Sequence, residues 1–216
     1  MMRTRVCAPQ ALFIMGALMA CAGSGTRDPR ASDARGDAAI AAPDTAPPAE
    51  ALGRARTAAN ALGRELQAAL LAALDSGGPA RAVAYCADSA QVLTARHARE
   101  GVYLRRVSLR VRNPANRPDA VEERMLRRFD SLRAAGSLPS EVARSARSPG
   151  GERVVEYARP ILVQPACLAC HGDRERLAPG VREILRTRYP SDQAVGYRVG
   201  DLRGLISVRV PLQPAR

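Results

Sequence analysis

Apolar side chains recur every three or four residues along two consecutive segments of the chain. In the first segment these are Leu52, Ala55, Ala59, Leu62, Leu66, Leu70 and Leu74. Asp-Ser-Gly-Gly at 75–78 interrupts the pattern, and Pro79 suits the first turn of a new helix. The second stripe then contains Val83, Cys86, Ala90, Leu93 and His97. The spacing predicts helices over 52–74 and 79–97, with Cys86 and His97 on the same face of the second.

Period-two patterns predict strands further along. Between Tyr103 and Val111, alternate positions are Val107, Leu109 and Val111 on one face and Arg106, Ser108 and Arg110 on the other. The apolar residues of 206–212 also alternate, and apolar stretches lie on both sides of Pro160, where we expect two strands. Residues 135–152, rich in Gly, Ser and Arg, predict a loop.

Asp119 and Glu122 have the spacing of a capping box and predict a third helix, with an apolar stripe that includes Met125. A short helix is expected over 181–188. Helices come first, strands come later, and no βαβ rhythm is present. This order predicts an α+β fold with an antiparallel sheet.

The first residues have the pattern of an export signal, with Arg3 and Arg5 followed by an apolar run over 11–20. The run ends in Leu-Met-Ala-Cys, which resembles a bacterial lipobox, so we expect residues 1–20 to be a lipoprotein signal peptide and Cys21 to be lipidated. An ordinary signal with a coincidental cysteine is the alternative. Ala22 resembles the residue that follows the cysteine in outer-membrane lipoproteins. The expected location is therefore the periplasmic side, anchored by lipid to the outer membrane.

Residues 21–50 contain mainly Ala, Gly, Pro and Asp, and they predict a disordered tether before a folded domain over 51–216. The formal net charge is +12, and every basic residue is an arginine. Because aromatic residues make up only 3 % of the chain, the charge favours an acidic protein partner, a membrane surface or an anionic cofactor over nucleic acid.

Cys167 and Cys170 stand three residues apart, and His171 follows directly. In a chain with five cysteines and two histidines, this arrangement arises by chance roughly once in a thousand, and it matches the signature of c-type haem attachment. The two thiols would form thioethers with the haem vinyl groups, and His171 would bind the iron. The alternatives are a thioredoxin-like dithiol, a zinc site with Cys86 as fourth ligand, and a disulfide. Export favours haem, because bacteria attach c-type haem outside the inner membrane.

Once the predicted signal peptide is removed and Cys21 is lipidated, three side chains remain as candidates for the second axial ligand: Cys86, His97 and Met125. Cys86 and His97 are separated by about 16 Å of helical rise, so no more than one of them can bind a given iron. We expect Met125 to pack in the core. The residues alone leave the choice between Cys86 and His97 open.

An ordered series of motifs spans roughly residues 80 to 213: "VAYCADSA", "RRVSLRVRNPANRPD", "CLACHGD", "YPSDQAVGY" and "GDLRGLISVRVPL". The series resembles the c-type haem PAS-like family typified by a cyanobacterial Tll-type haem protein, once a domain of unknown function. The resemblance implies a PAS-like fold with one covalent haem on Cys167 and Cys170, and His171 and Cys86 as axial ligands. One departure is Val121, where the family tends to have tryptophan.

Two functions are expected from these observations. The first is a mono-haem c-type cytochrome with a low potential, which transfers electrons or senses redox state, is not an enzyme, and has Arg110 or Arg112 paired with the haem propionates. The second is a sensor of gas or small ligands that acts through a partner protein. A haem peroxidase, a thiol oxidoreductase and a metal-binding module are weaker alternatives.

Overall fold

The computed structural model describes residues 46–212 apart from 100 and 149. The helices and strands in this part of the chain are α1 (Ala49–His97), β1 (Tyr103–Val107), α2 (Ala120–Ala134), β2 (Val142–Arg147), β3 (Arg153–Leu162), α3 (Leu168–His171), α4 (Pro179–Arg188) and β4 (Leu202–Pro211). Short 3₁₀ turns occur at Pro114–Asn116, Pro165–Cys167 and Arg174–Arg176. The predicted signal peptide, the lipidation site Cys21 and most of the predicted tether lie outside the described residues.

Helix α1 consists of two helices joined by a kink. Gly77 and Gly78 leave helical geometry, and Gly78 takes a φ of +69°, which other residues rarely adopt. Pro79 then opens the second helix, as the sequence predicted. We call the part before the kink the N-terminal arm and the part from Pro79 the C-terminal arm.

The strands form one antiparallel sheet in the order β1-β4-β3-β2. One face packs against the N-terminal arm, where Ala55, Ala59 and Leu62 meet Tyr157 and Val208. Helix α2 covers the other face, and its residues Met125, Leu126 and Phe129 contact Val107 and Leu205. Both faces of the sheet are therefore buried, which explains the continuous buried stretch in β4. The predicted PAS-like α+β fold, an antiparallel sheet flanked by N-terminal helices, is confirmed.

Three predictions about strands were wrong in detail. Strand β1 ends at Val107 rather than at 111, because the Ser108 amide donates to the Asn116 carbonyl (3.1 Å) and the chain turns away from the sheet. The predicted loop over 135–152 contains β2, an edge strand without a fully buried residue. Pro160 lies inside the single strand β3; it pairs with Leu205 of β4, and the pairing of β2 reaches only as far as Ala158, so Pro160 has no partner strand on the β2 side.

Two helix predictions are confirmed. Asp119 accepts hydrogen bonds from the amides of Val121 and Glu122, and the Glu122 carboxylate accepts from the Asp119 amide, which completes the capping box of α2. Helix α4 covers the predicted 181–188 and begins two residues earlier, at Pro179. In the described part of the chain, no helix is both long enough and apolar enough to cross a membrane.

Candidate functional site

The Cys-x-x-Cys-His segment follows β3 directly. The 3₁₀ turn Pro165–Cys167 runs into the single-turn helix α3, so that Cys167, Cys170 and His171 occupy positions i, i+3 and i+4 on one side. The loop before β4 holds this segment through two backbone hydrogen bonds, from Tyr197 to the His171 carbonyl (2.9 Å) and from Gly196 to the Gly172 carbonyl (2.6 Å). Gly196 has a φ of +71°, which suits glycine at this close approach.

The orientation of His171 is fixed by a backbone carbonyl. Its Nδ1 lies 2.6 Å from the Ala194 oxygen, and because a carbonyl only accepts, Nδ1 carries the proton and Nε2 keeps its lone pair. Burial, followed by the charges of Arg203 and Arg112, holds the pKa of His171 well below its usual range. The imidazole is therefore neutral at pH 7 and presents Nε2 as a potential metal ligand.

The C-terminal arm of α1 brings Cys86 to the same region. The Cys170 sulfur lies 3.9 Å from the carbonyl of Pro79, at the start of this arm, and Cys170 packs beside Val83. Burial raises the pKa of both thiols, and the charge of Cys86 adds to the rise in the pKa of Cys170. Arg112 is near both cysteines.

The other two candidate ligands have different neighbours. His97 lies eleven residues beyond Cys86, and its Nε2 is 2.5 Å from the Glu65 carboxylate of the N-terminal arm. Met125 is 7 % exposed and packs with Phe129 and Val107 on the α2 face of the sheet, as expected for a core residue. Of the three candidates, Cys86 is the one that the fold places beside the Cys-x-x-Cys-His segment.

Arg112 and Arg110, the arginines predicted to bind propionates, are engaged by the protein. Arg112 donates to the carbonyls of Cys170 (2.6 Å) and Ala194 (3.1 Å) and forms a two-point pair with the carboxylate of Asp192. Arg110 donates to the Gln193 carbonyl (3.2 Å), and its guanidinium lies 4.2 Å from the centre of the Tyr197 ring. Both arginines thus support the loop that holds His171, and their pairing with propionates stays a prediction.

Sequence reasoning missed two arginines and one tyrosine at this site. Arg203 of β4 lies with Nε 3.5 Å from His171 Nε2 and donates from Nη1 to the Ser108 hydroxyl (2.8 Å). Tyr197 contacts the imidazole edge-to-face, with ring centres 6.1 Å apart. The strand pattern placed Arg106 on the polar face of β1, but burial lowers the pKa of this guanidinium, and its Nε has no hydrogen-bond partner in the described residues.

The structure also bears on the alternatives for the cysteines. Cys86, Cys167 and Cys170 are all free thiols. The described residues contain no group of three or more His, Cys, Asp or Glu side chains arranged to hold a metal ion. The raised pKa of Cys170 is opposite to the shift that activates a redox thiol.

The fold and this site define a class of protein: an α+β domain in which a Cys-x-x-Cys-His segment lies beside a helix cysteine and a group of arginines. The family model described as Tll0287-like matches residues 39–211, and the chain belongs to this family, which confirms the resemblance seen in the sequence. The crystal structure of the cyanobacterial heme-protein Tll0287 is 30 % identical, with a TM-score of 0.60, over 78 % of this chain and 100 % of that one. Among curated proteins, no sequence matches this chain significantly.

Proposed function

We propose that the chain binds one haem covalently through Cys167 and Cys170, with His171 and Cys86 as axial ligands, and that it transfers electrons or senses redox state. The observation that carries this proposal is the hydrogen bond from His171 Nδ1 to the Ala194 carbonyl (2.6 Å), which leaves Nε2 available beside the two thiols. Membership of a family with a solved haem protein supports the same assignment.

The residues present fit a haem. Three ligand-type side chains lie on one side of a short helical turn, and Cys86 approaches from the C-terminal arm. The surroundings are cationic, and the Arg106 Nε is buried without a partner in the described part of the chain. A porphyrin with two carboxylates would supply the anionic acceptors that Arg106 lacks. When bound, its iron supplies one-electron chemistry.

Two protein ligands favour electron transfer over catalysis. With His171 and Cys86 both bound, no axial position is left for a substrate, and a thiolate ligand stabilises ferric iron and lowers the potential. The chain's formal charge of +12 suits an acidic redox partner. A periplasmic location with a lipid anchor on Cys21 is part of this proposal and rests on the sequence alone.

The test is a spectroscopic comparison of the full chain with two single variants, all produced in a host that attaches c-type haem. Cys86→Ala removes the proposed ligand, and His97→Ala is the matched control on the same helical arm. We expect a pyridine haemochrome typical of covalent haem in all three proteins. The low-spin thiolate signal in electron paramagnetic resonance should disappear in Cys86→Ala and persist in His97→Ala.

The other outcomes are equally informative. Loss of the low-spin signal in His97→Ala alone would move the second ligand to His97. Ferrous wild-type protein that binds CO would favour the sensor of small ligands, because a ligand must then leave the iron. Protein without haem would contradict the proposal and favour the dithiol.

A further inference from the structure

We propose that Arg106 and Arg203 bind the propionate carboxylates of the haem, whereas Arg110 and Arg112 hold the protein loop around His171; this assignment rests on the function proposed above. Arg106 belongs to β1 and Arg203 to β4, the central strand paired with it. Arg203 donates to Ser108, which directly follows β1 and lies two residues beyond Arg106. The site thus has two guanidinium groups on adjacent strands.

Arg110 and Arg112, the arginines of the rival assignment, already donate hydrogen bonds within the protein. Arg112 directs Nε and Nη2 to Asp192, Cys170 and Ala194, and its side chain is only 10 % exposed. If Arg112 turned to a propionate, the buried carboxylate of Asp192 would lose its closest cationic partner, which is strongly unfavourable. Arg110 is held between the Gln193 carbonyl and the Tyr197 ring.

Arg106 differs from Arg110 and Arg112 in its hydrogen bonding. Its Nε is buried and unpartnered within the described residues, and no acidic side chain of that part of the chain forms an ion pair with it. A buried charged group without a partner is costly, and a guanidinium is shaped to bind a carboxylate through two parallel hydrogen bonds. The arrangement is accounted for by an anion that belongs to the site.

One donor of Arg203 binds weakly in the protein alone. Its Nε contact with His171 Nε2 is long, at 3.5 Å, and involves the atom proposed to bind iron. If His171 held the iron through Nε2, this acceptor would be lost, and Arg203 would keep its bond to Ser108 and have a free donor for a second carboxylate. Arg106 and Arg203 also repel each other electrostatically, and two carboxylates between them would reverse this repulsion.

The test uses holoprotein with covalent haem. Resonance Raman spectra report the propionate bending modes, and redox titration reports the midpoint potential. The variants are Arg106→Gln and Arg203→Gln, with Arg198→Gln as control, since Arg198 is exposed and lies directly after Tyr197. Arg110→Gln and Arg112→Gln represent the rival assignment.

We expect the propionate modes to shift in Arg106→Gln and Arg203→Gln but to stay unchanged in Arg198→Gln and Arg110→Gln. The potential should fall in the two test variants, because a buried positive charge near the haem favours the reduced state. If a Gln variant does not fold, Arg106→Lys and Arg203→Lys keep the charge but lose the two-point geometry, and a smaller shift of the same modes is expected.

Propionate modes that shift only in Arg110→Gln or Arg112→Gln would overturn this assignment and leave the proposed function intact. A changed thiolate signal with unchanged propionate modes in Arg106→Gln would also overturn it, since Arg106 would then serve Cys86. Absence of covalent haem in the wild-type protein would contradict both proposals.

Discussion

Arg112 and Asp192 form a two-point ion pair across 80 residues of sequence, with Nε–Oδ1 and Nη2–Oδ2 distances of 3.2 and 3.1 Å. The Asp192 side chain is 1 % exposed, and its Oδ1 also accepts from the Ala194 amide. Since Ala194 in turn accepts from His171, the pair fixes the backbone that orients the imidazole. Stability and ligand orientation therefore depend on the same contact.

Arg112→Gln should lower the free energy of unfolding by about 3 kcal/mol, because it leaves the Asp192 carboxylate buried with Arg174, at 3.8 Å, as its nearest remaining cation. Urea unfolding of the purified protein measures this change. Arg186→Gln is the control, since its pair with Glu183 on α4 is exposed and should contribute little to stability. Equal effects of the two substitutions would show that Arg112 has no special structural role.

The ionisation of Tyr157 makes the stability of the protein depend on pH in the alkaline range. Burial and its hydrogen bond to Glu141 (2.8 Å) raise the pKa of Tyr157 to about 12. The unfolded chain ionises this group near pH 10, so between about pH 10 and 12 only the unfolded state loses the proton and stability falls as pH rises. Below pH 10 both states are protonated, and this contribution is fully present.

Tyr157→Phe should therefore be less stable than wild type by about 1 kcal/mol at pH 8, because the hydrogen bond is lost, with the difference narrowing by pH 11. Urea unfolding at the two pH values measures it. The exposed Tyr85 provides the control variant Tyr85→Phe, for which we expect a constant difference. The chain contains no lysine, which removes one large background titration from this range. A stability difference between wild type and Tyr157→Phe that grows from pH 8 to pH 11 would contradict the raised pKa of Tyr157.

Gly172 is required for close packing at the end of the Cys-x-x-Cys-His segment. A Cβ at this position would lie 2.7 Å from the Leu168 carbonyl oxygen, so Gly172→Ala must displace α3 and should cost about 1 to 3 kcal/mol. Gly53 lies in the N-terminal arm, and a Cβ there meets no atom within 4 Å. Gly53→Ala should stabilise the protein by about 0.5 to 1 kcal/mol. Thermal unfolding compares the two, and a stabilising Gly172→Ala would disprove the close contact.

The elements with strong local signals could be predicted from sequence. The kink at Gly77 and Gly78 and the capping box at Asp119 depend on residues whose chemistry acts within a few positions. Strand β2 could not be predicted in this way, because its residues are only half-buried and it becomes a strand by pairing with β3. Likewise, the end of β1 at Val107 depends on a hydrogen bond to Asn116, and no alternation of side chains reveals it.

The residues of the site also fall into those that the sequence reveals and those that only the fold brings together. Cys167, Cys170 and His171 are adjacent in sequence, and their spacing identifies them. Arg203 and the Ala194 carbonyl reach His171 only because the loop after α4 returns to α3. This contact depends on the tertiary structure, so local sequence patterns do not reveal it. The burial of the Arg106 Nε could not be predicted, since a strand pattern distinguishes two faces but does not show that other parts of the protein cover the polar one.

The position of β4 in the sheet sets an order of assembly. Among the strands of the described residues, β1 pairs with β4 alone, and β4 also completes β3, so the centre of the sheet cannot form until residues 202–211 are available. A chain that emerges from its N-terminus has by then already exposed Cys167, Cys170 and His171. When β4 then inserts, Arg203 reaches His171, and the surroundings of the imidazole are complete only at this last step.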